Sequence, residues 1–393
     1  MLITYFENRL EIKKEERLTA IGPKKYPSVT IIVPCWNEEN TVTKTIHSLL
    51  SLDYPKNKLK IMIIDDGSTD KTWEKIQKFR NNPQIEMYSK ENGGKYTALN
   101  YGISKLGSDL VGCLDADSYV HKDALRNIVV YFQDKKIMAV APSIKLWQPK
   151  KPLELLQKVE YGFGIFIRKM QHYMHAVYIT PGPFSIFRTE VFKKLGGYKH
   201  AHNTEDIEIA LRMQKNNYKI AHAHNAFVYT VAPNTLRKLL KQRVRWVHGF
   251  IKNASDYRQM FFKKQYGNLG LIMLPMAIIS VVSILSITII SIINLTHLVF
   301  DKYLEIKTVG LNFHWFIFDF DWFYINTEIV ALVGLVTTIG TISMILVSKK
   351  MSEGKLDIGM DLIFFLTLYM FIAPIWIGKA LYNVVFSVKS SWR

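Results

Sequence analysis

The sequence predicts an α/β domain with a mainly parallel sheet, followed by amphipathic interface helices and about three transmembrane helices. Three observations predict it. Short β-branched apolar runs alternate with segments of helical periodicity up to residue 232, the pattern of βαβ units. Residues 235–257 place apolar side chains every three or four positions, as one buried face of a helix requires. From residue 269 onward long stretches carry almost no charge, as a hydrocarbon environment demands. The chain therefore divides into an N-terminal interfacial and linker segment (1–27), the α/β domain (28–232), interface helices (233–267) and a transmembrane region (268–393).

The formal net charge is +18. A balance this basic suits nucleic acid, an anionic membrane surface or a phosphorylated substrate. The apolar stretches select membrane lipids over nucleic acid, and the phosphorylated substrate is supported by the loops below. Cys35 and Cys113 each end an apolar run and have no partner at metal-ligand spacing, which suits a reduced, cytosolic compartment. Residues 1–10 include Glu7 and Arg9 and are too short and too charged for a signal peptide or a span. Leu2, Ile3, Phe6 and Leu10 fall on one side and suit the membrane surface. Residues 11–27 read as a charged linker ending at Pro27.

Residues 29–33, 61–64, 111–114 and 138–141 read as buried strands, and 41–50, 70–79, 96–106 and 122–132 as the helices between them. In such sheets ligands bind where loops leave the carboxyl ends of the strands. The first loop is Pro34-Cys35-Trp36-Asn37-Glu38-Glu39, the second Asp65-Asp66-Gly67-Ser68 and the third Asp115-Ala116-Asp117-Ser118. Carboxylates gathered at one edge repel one another unless a cation offsets them, and Asp115 with Asp117 can face a hard, oxygen-seeking metal. Ser68 and Asp70 suit helix capping instead. Asn92-Gly93-Gly94-Lys95 enters a helix and can offer amide N–H groups and an ammonium to phosphate. It lacks the full Gly-x-x-x-x-Gly-Lys-Ser/Thr pattern of a nucleotide-hydrolase loop.

Thr180-Pro181-Gly182-Pro183-Phe184 precedes a strand at 185–187, and Glu205-Asp206 opens a helix running to Lys215. The helix dipole lowers a carboxylate pKa at that position and burial raises it. His222 and His224 flank Ala223 at strand spacing and read as strand-edge polar residues, with a further metal ligand as the alternative. In 235–257, Leu236, Leu240, Val244, Val247 and Ile251 form the apolar stripe, while Gln242, Arg245 and Trp246 share roughly the opposite face. Residues 269–294, 326–347 and 358–386 read as spans, the second weakened by Glu328 and the third containing Asp361, Pro374 and Lys379. The basic loop 349–355 belongs on the cytoplasmic side with the α/β domain. Residues 301–324 and the tail with Lys389 and Arg393 then face out, and Pro374 kinks the last span.

These residues, in this order, resemble glycosyltransferase family 2, the inverting GT-A enzymes, and within it the membrane-bound polysaccharide synthases. The likeness rests on Pro34 to Glu39, Asp65 to Ser68, Gly94-Lys95 with Ala98-Leu99-Asn100, Asp115-Ala116-Asp117, Thr204-Glu205-Asp206 and Gln242-Arg243-Val244-Arg245-Trp246. The chain is similar to cellulose, chitin, hyaluronan and poly-N-acetylglucosamine synthases in carrying Asp-x-Asp, Thr-Glu-Asp and Gln-x-x-Arg-Trp in sequence. The resemblance implies a Rossmann-like GT-A fold and a nucleotide-sugar donor, a UDP-sugar above all. Pro34, Glu38 and Asp66 would hold the nucleoside, with Asp66 on the base. Asp115 and Asp117 would hold Mn2+ or Mg2+ and the donor, and Lys95 and Arg245 the diphosphate. Asp206 would be the general base. Gly182, Pro183, Phe184, Glu205, Gln242 and Trp246 would line the acceptor side.

The larger synthases usually carry one or two spans before the catalytic domain, whereas this sequence has none before it and about three after. The leading reading is a multi-pass enzyme of the cell membrane with its catalytic domain in the cytoplasm, extending a polysaccharide and passing it toward the membrane. The alternative is transfer of one sugar to a polyprenyl-phosphate or other lipid-linked acceptor, and a remote third is a non-catalytic scaffold or transporter. A homo-oligomer or an accessory membrane subunit is compatible with each.

Overall fold

The structure, a computed structural model, describes residues 1–310, 329–356 and 358–387. The chain opens with α1 (Leu2–Glu7) and α2 (Arg9–Ile21). The α/β domain follows as β1 (Val29–Cys35), α3 (Val42–Leu50), β2 (Leu59–Asp66), α4 (Thr72–Gln77), β3 (Ile85–Lys90), α5 (Lys95–Ser104), β4 (Leu110–Cys113), β5 (Ser118–Val120), α6 (Ala124–Val129) and β6 (Ile137–Leu146). It continues through α7 (Pro152–Tyr173), β7 (Ile186–Arg188), α8 (Thr189–Leu195), α9 (Glu205–Lys215) and β8 (Lys219–Thr230). After it come α10 (Leu236–Asp256), α11 (Leu274–Val309), α12 (Ile329–Glu353) and α13 (Met360–Val385).

The strands form one sheet in the order β3-β2-β1-β4-β7-β6-β8-β5. β1 is buried along nearly its whole length and runs parallel to β2 on one side and β4 on the other, with Ile31 opposite Ile61 and Gly112. Apolar clusters cover both faces: Ile31, Val33, Ile46, Ile61 and Ile128 on one, Ile32, Ile64, Leu99 and Phe187 on the other. That two-sided burial is why these strands read as continuous apolar runs rather than alternations. The sheet is mainly parallel, as expected, with β1–β2, β1–β4, β2–β3 and β6–β8 all parallel; the antiparallel pairings are those of β7 with β4 and β6 and of β5 with β8. β3, an edge strand with only Ile85 buried, and β5, three residues long, are too weakly patterned to be legible in the sequence.

Residues 11–27, expected as a linker, hold most of α2. Its docking face is polar, which hides it from an apolar periodicity: Glu15 pairs with the buried Lys169 and with Tyr131 and Tyr173, Glu16 with His224, and Asn225 with Thr19. His222 and His224 lie where β8 has β6 on one side only, short of its pairing with β5. Both are buried within β8, His222 beside Ser143 and the Ala141 carbonyl.

α7 was also unread, although Leu156, Val159, Phe163, Phe166 and Met170 recur at helical spacing. It packs on α12 and α13 through Val159, Phe163, Ile345, Leu362 and Phe365. The apolar stripe of α10 meets α13 as well, with Leu239, Val244 and Val247 against Ala373, Trp376, Ile377 and Ala380. Leu236, placed on that stripe by its spacing, is 45% exposed.

Among the described residues three helices are long and apolar enough to cross a membrane, Leu269–Thr308, Ala331–Glu353 and Met360–Val385. Helix α11 runs past the expected end of the first span, through residues 301–309. The basic segment expected as a loop at 349–355 is helical to Glu353, and Lys349 is buried, 3.0 Å from Asp361. Lys158 on α7 lies 3.0 Å from Asp361 and 2.9 Å from Glu353, tying α7 to the ends of both helices. Helix α13 continues through Pro374. The rest of the segment expected to face out, Glu328, and Lys389 and Arg393 of the tail lie outside the described residues.

Candidate active site

The loops after β1, β2 and β4 meet at the carboxyl edge of the sheet. The first two are laced together: Asn37 Oδ1 accepts the Thr69 N–H (2.8 Å), Ser68 Oγ the Asn37 N–H (3.0 Å), and Thr72 Oγ1 the Glu38 N–H (2.7 Å). Asp70 accepts from the backbones of Glu39 (3.1 Å) and Thr72 (2.9 Å); the N-cap of α4 is Lys71, so Ser68 and Asp70, expected as caps, tie the two loops together instead. Pro34 sits at the end of β1 beside Ile64.

Asp65 and Asp66 end β2 on opposite faces, since side chains alternate along a strand. Asp66 faces the glycine loop and is heavily bonded: Oδ1 accepts from Lys90 (2.6 Å) and the Gly93 N–H (3.2 Å), Oδ2 from the Gly94 N–H (2.8 Å). It therefore shapes the turn that delivers Lys95. Asp65, passed over in the sequence, is 3% exposed and its Oδ1 has no hydrogen-bond partner. A buried carboxylate oxygen without a donor is costly and marks a place for one. The alternation within the Asp-Asp pair was the signal that could have separated their roles.

Lys95 is the hub. Its Nζ lies 2.6 Å from Asp115 Oδ1 and 3.2 Å from Glu205 Oε1, joining the third loop to the start of α9. Burial disfavours its charge, but the two carboxylates outweigh this and hold the ammonium pKa well above its usual value. Gly182 passes directly over the pair: a Cβ there would sit 2.8 Å from Nζ and 3.3 Å from Asp115 Oδ2. The next residues turn inward. Phe184, at φ 68°, donates its N–H to the Cys113 carbonyl (2.6 Å), and its side chain is fully buried in the core. Its ring is therefore core packing and not a wall of an acceptor pocket; Gly182 and Pro183 remain at the surface of that turn.

Asp117 is pushed up to about 6, first by burial and then by the charges of Asp115 and Glu38. Such crowding is what a bound cation would relieve. Among the described residues no group of three or more His, Cys, Asp or Glu side chains is arranged to hold a metal. Two carboxylates suffice for Mg2+ or Mn2+ when phosphate oxygens and water complete the shell, so the pair fits a metal that arrives with a diphosphate.

Glu205 and Asp206 open α9 with opposite shifts. Burial would raise Glu205, yet the Lys95 ammonium and neighbouring groups hold it below its usual value. Asp206 is pushed up to about 6 by burial and then by the Glu205 charge, against the pull of Lys95, Arg245 and the Ile207 N–H. Burial and the Glu205 charge thus outweigh the nearby cations and the Ile207 N–H at the helix start. A carboxylate near 6 is ionised at neutral pH and basic enough to take a proton. Glu205, expected on the acceptor side, is engaged here by Lys95 at 3.2 Å.

On α10 the motif residues divide. Arg245 donates to the Asn203 carbonyl (3.2 Å), just before α9. Gln242 Oε1 accepts from Arg243 (2.9 Å), and the Arg243 guanidinium lies 4.3 Å from the centre of the Trp246 ring. Arg243, which the sequence left without a role, is 3% exposed and pairs with Glu160 of α7 at 2.6 Å. It packs Gln242 and Trp246 against α7, while Arg245 turns toward Asp206. An arginine beside the apolar stripe, rather than opposite it, was the available signal.

Residues 30–196 match the family described as Glycosyl transferase family 2; Asp206 and the α10 motif lie beyond the matched span. The chain is 33% identical over 245 residues to a poly-beta-1,6-N-acetyl-D-glucosamine synthase of Staphylococcus epidermidis, covering 62% of this chain and 58% of that one. It is 34% identical over 232 residues to the synthase of the same description from Staphylococcus aureus (strain MSSA476), covering 58% and 56%. The alignments thus span a little over half the length of these curated relatives. The solved structure of mannosyltransferase PcManGT from Pyrobaculum calidifontis, in complex with GDP-Man and Mn2+, matches with a TM-score of 0.55 and 17% identity, over 98% of this chain and 96% of that one. That likeness is one of fold.

Proposed function

We propose that this chain, which carries a glycosyl transferase family 2 domain of GT-A fold, is an inverting glycosyltransferase of the cytoplasmic membrane face that extends a polysaccharide from a nucleotide sugar. The observation that carries the reading is the bridge from Asp115 through Lys95 to Glu205, which sets Asp206, at about 6, within reach of the Lys95 and Arg245 charges.

The acceptor hydroxyl attacks the anomeric carbon, the bond from that carbon to the phosphate oxygen breaks, and the hydroxyl proton passes to Asp206. One displacement inverts the configuration, and the nucleoside diphosphate leaves. Lys95 and Arg245 stabilise the leaving phosphates. Asp115 and Asp117 would hold Mn2+ or Mg2+, which supplies further neutralisation of the diphosphate. Asp65, with its unpartnered Oδ1, is the better candidate than Asp66 for the nucleobase, with Glu38 on the nucleoside. The Staphylococcus relatives, described as poly-beta-1,6-N-acetyl-D-glucosamine synthases, favour UDP-N-acetylglucosamine as donor and a growing polymer as acceptor. Trp246 and Gln242, at the seam between α10 and α7, suit the chain end.

The test is nucleotide release by the purified, detergent-solubilised protein across a donor panel, with product analysis. A polymer ladder from UDP-N-acetylglucosamine is expected. A single sugar on a lipid would replace polymerisation with lipid glycosylation, and no transfer from any donor would end the enzymatic reading.

A further inference from the structure

We propose that Asn253 is a positioning residue for Asp206, acting through a strained turn; the proposal rests on the reading of Asp206 as the base. Ala201, His202 and Asn203 have φ of 42°, 54° and 62° in succession. Three non-glycine residues running in the left-handed region are unfavourable and persist only where surrounding contacts impose them. The turn ends at Thr204, whose N–H and Oγ1 both bond the Ala201 carbonyl (3.0 and 3.1 Å), and α9 begins at the next residue.

The imposing contacts come from one stripe of α10, at spacings of four, four and three. Arg245 donates to the Asn203 carbonyl, and Gly249 lies against Thr204 so closely that a Cβ would stand 2.3 Å from Oγ1. Asn253 Nδ2 donates to Thr204 Oγ1 (2.8 Å), to the Ala201 carbonyl (3.2 Å) and to its own helix at Gly249 (2.9 Å). Asp256 reaches His202 at 2.9 Å. That last pair is exposed, with side chains at 36% and 59%, and contributes little. Asn253 is fully buried, so water cannot readily replace its two protons.

Asn253 touches no reacting atom. It fixes the turn, the turn fixes Thr204, and Thr204 fixes where the first turn of α9 presents Asp206. Small misplacements of a reacting group are expensive: about 1 Å can cost on the order of a hundredfold.

The experiment compares wild type and Asn253→Ala as full-length protein in detergent. kcat should fall about ten- to a hundredfold, with donor KM little changed. The acid limb of the pH–kcat profile should move to lower pH, because a loosened turn admits water to Asp206 and relieves the burial that raises it. A merely structural role would reduce the folded fraction and leave kcat per folded site and the pH limb unmoved. Thr204→Val removes the same bond from the other side and is read in the same way if Asn253→Ala does not fold; where both fold, the double variant should be no worse than the worse single one. An active wild type with kcat and pH limb retained in either variant overturns the proposal alone. A wild type that transfers from no donor overturns the base reading and the proposal with it.

Discussion

Lys95 Nζ stands 2.6 Å from Asp115 Oδ1, under a glycine that leaves no room for a longer side chain. Lys95→Met should leave Asp115 and Glu205 repelling each other and Asp206, and lower kcat/KM by about a hundred- to a thousandfold. Lys95→Arg should rescue little, since Gly182 occupies the space a guanidinium needs. Steady-state kinetics with the preferred donor decide this. Recovery to near wild type in Lys95→Arg would show that charge alone matters there.

Asp206→Asn should abolish transfer while donor affinity stays nearly unchanged, because the amide keeps the shape and cannot take the proton. Wild-type kcat should fall as pH drops through about 6, where Asp206 protonates. Stability carries the opposite sign. A carboxyl raised in the folded state favours folding while neutral, and that contribution is lost as pH rises through about 6. Asp206→Asn should therefore be more stable than wild type at pH 8, by about 1–3 kcal/mol, with the difference vanishing below pH ~4. Thermal melts at the two pH values measure it.

Asp117→Ala should weaken metal-dependent donor binding, and wild-type activity should disappear in chelator and return with Mn2+ or Mg2+. Asp117 is raised to about 6 without a metal, so a bound cation should lower it and binding should release a proton near pH 6. Calorimetry in buffers of different ionisation enthalpy reads that release. Full activity in excess chelator would remove the metal from the mechanism.

Trp246→Ala should cost roughly 1–3 kcal/mol of acceptor binding through lost apolar contact and should shorten the polymer at matched donor turnover. The ring also covers the Arg243 guanidinium at 4.3 Å, so Trp246→Phe is the necessary control that keeps an aromatic face there. Product length by gel or mass spectrometry is the measurement. Polymer of unchanged length from Trp246→Ala would leave the indole as a lid on Arg243 and nothing more.

Breaking the Arg243–Glu160 pair from one side should be worse than removing it from both. Arg243→Met leaves Glu160 without its partner at the α7–α10 seam, at a cost of about 3–5 kcal/mol for a fully buried pair and less here because Glu160 is partly exposed. Arg243→Met with Glu160→Gln should recover part of it. Chemical denaturation of the three variants in detergent tests the order, and equal loss in single and double variants would contradict it.

The carboxylate loops, the acidic start of α9, the helix at 235–257 and the three apolar helices were legible because each depends on local chemistry: strand ends, helix starts, periodicity and length. Sequence alone therefore determined the α/β class, the edge at which chemistry would gather, and the residues present there. It could not separate Asp65 from Asp66, set Phe184 in the core, or split Arg245 from Gln242 and Trp246, since each depends on what a side chain meets across the fold. Nor could it reveal α2, whose docking face is charged, or the partner of the α10 stripe, which is α13. Whether Asp206 is depressed by its helix or raised by burial was open in the sequence for the same reason. Desolvation is a property of everything packed around a group, and only the tertiary structure, by closing α9, α10 and the Lys95 hub over that carboxyl, decided it.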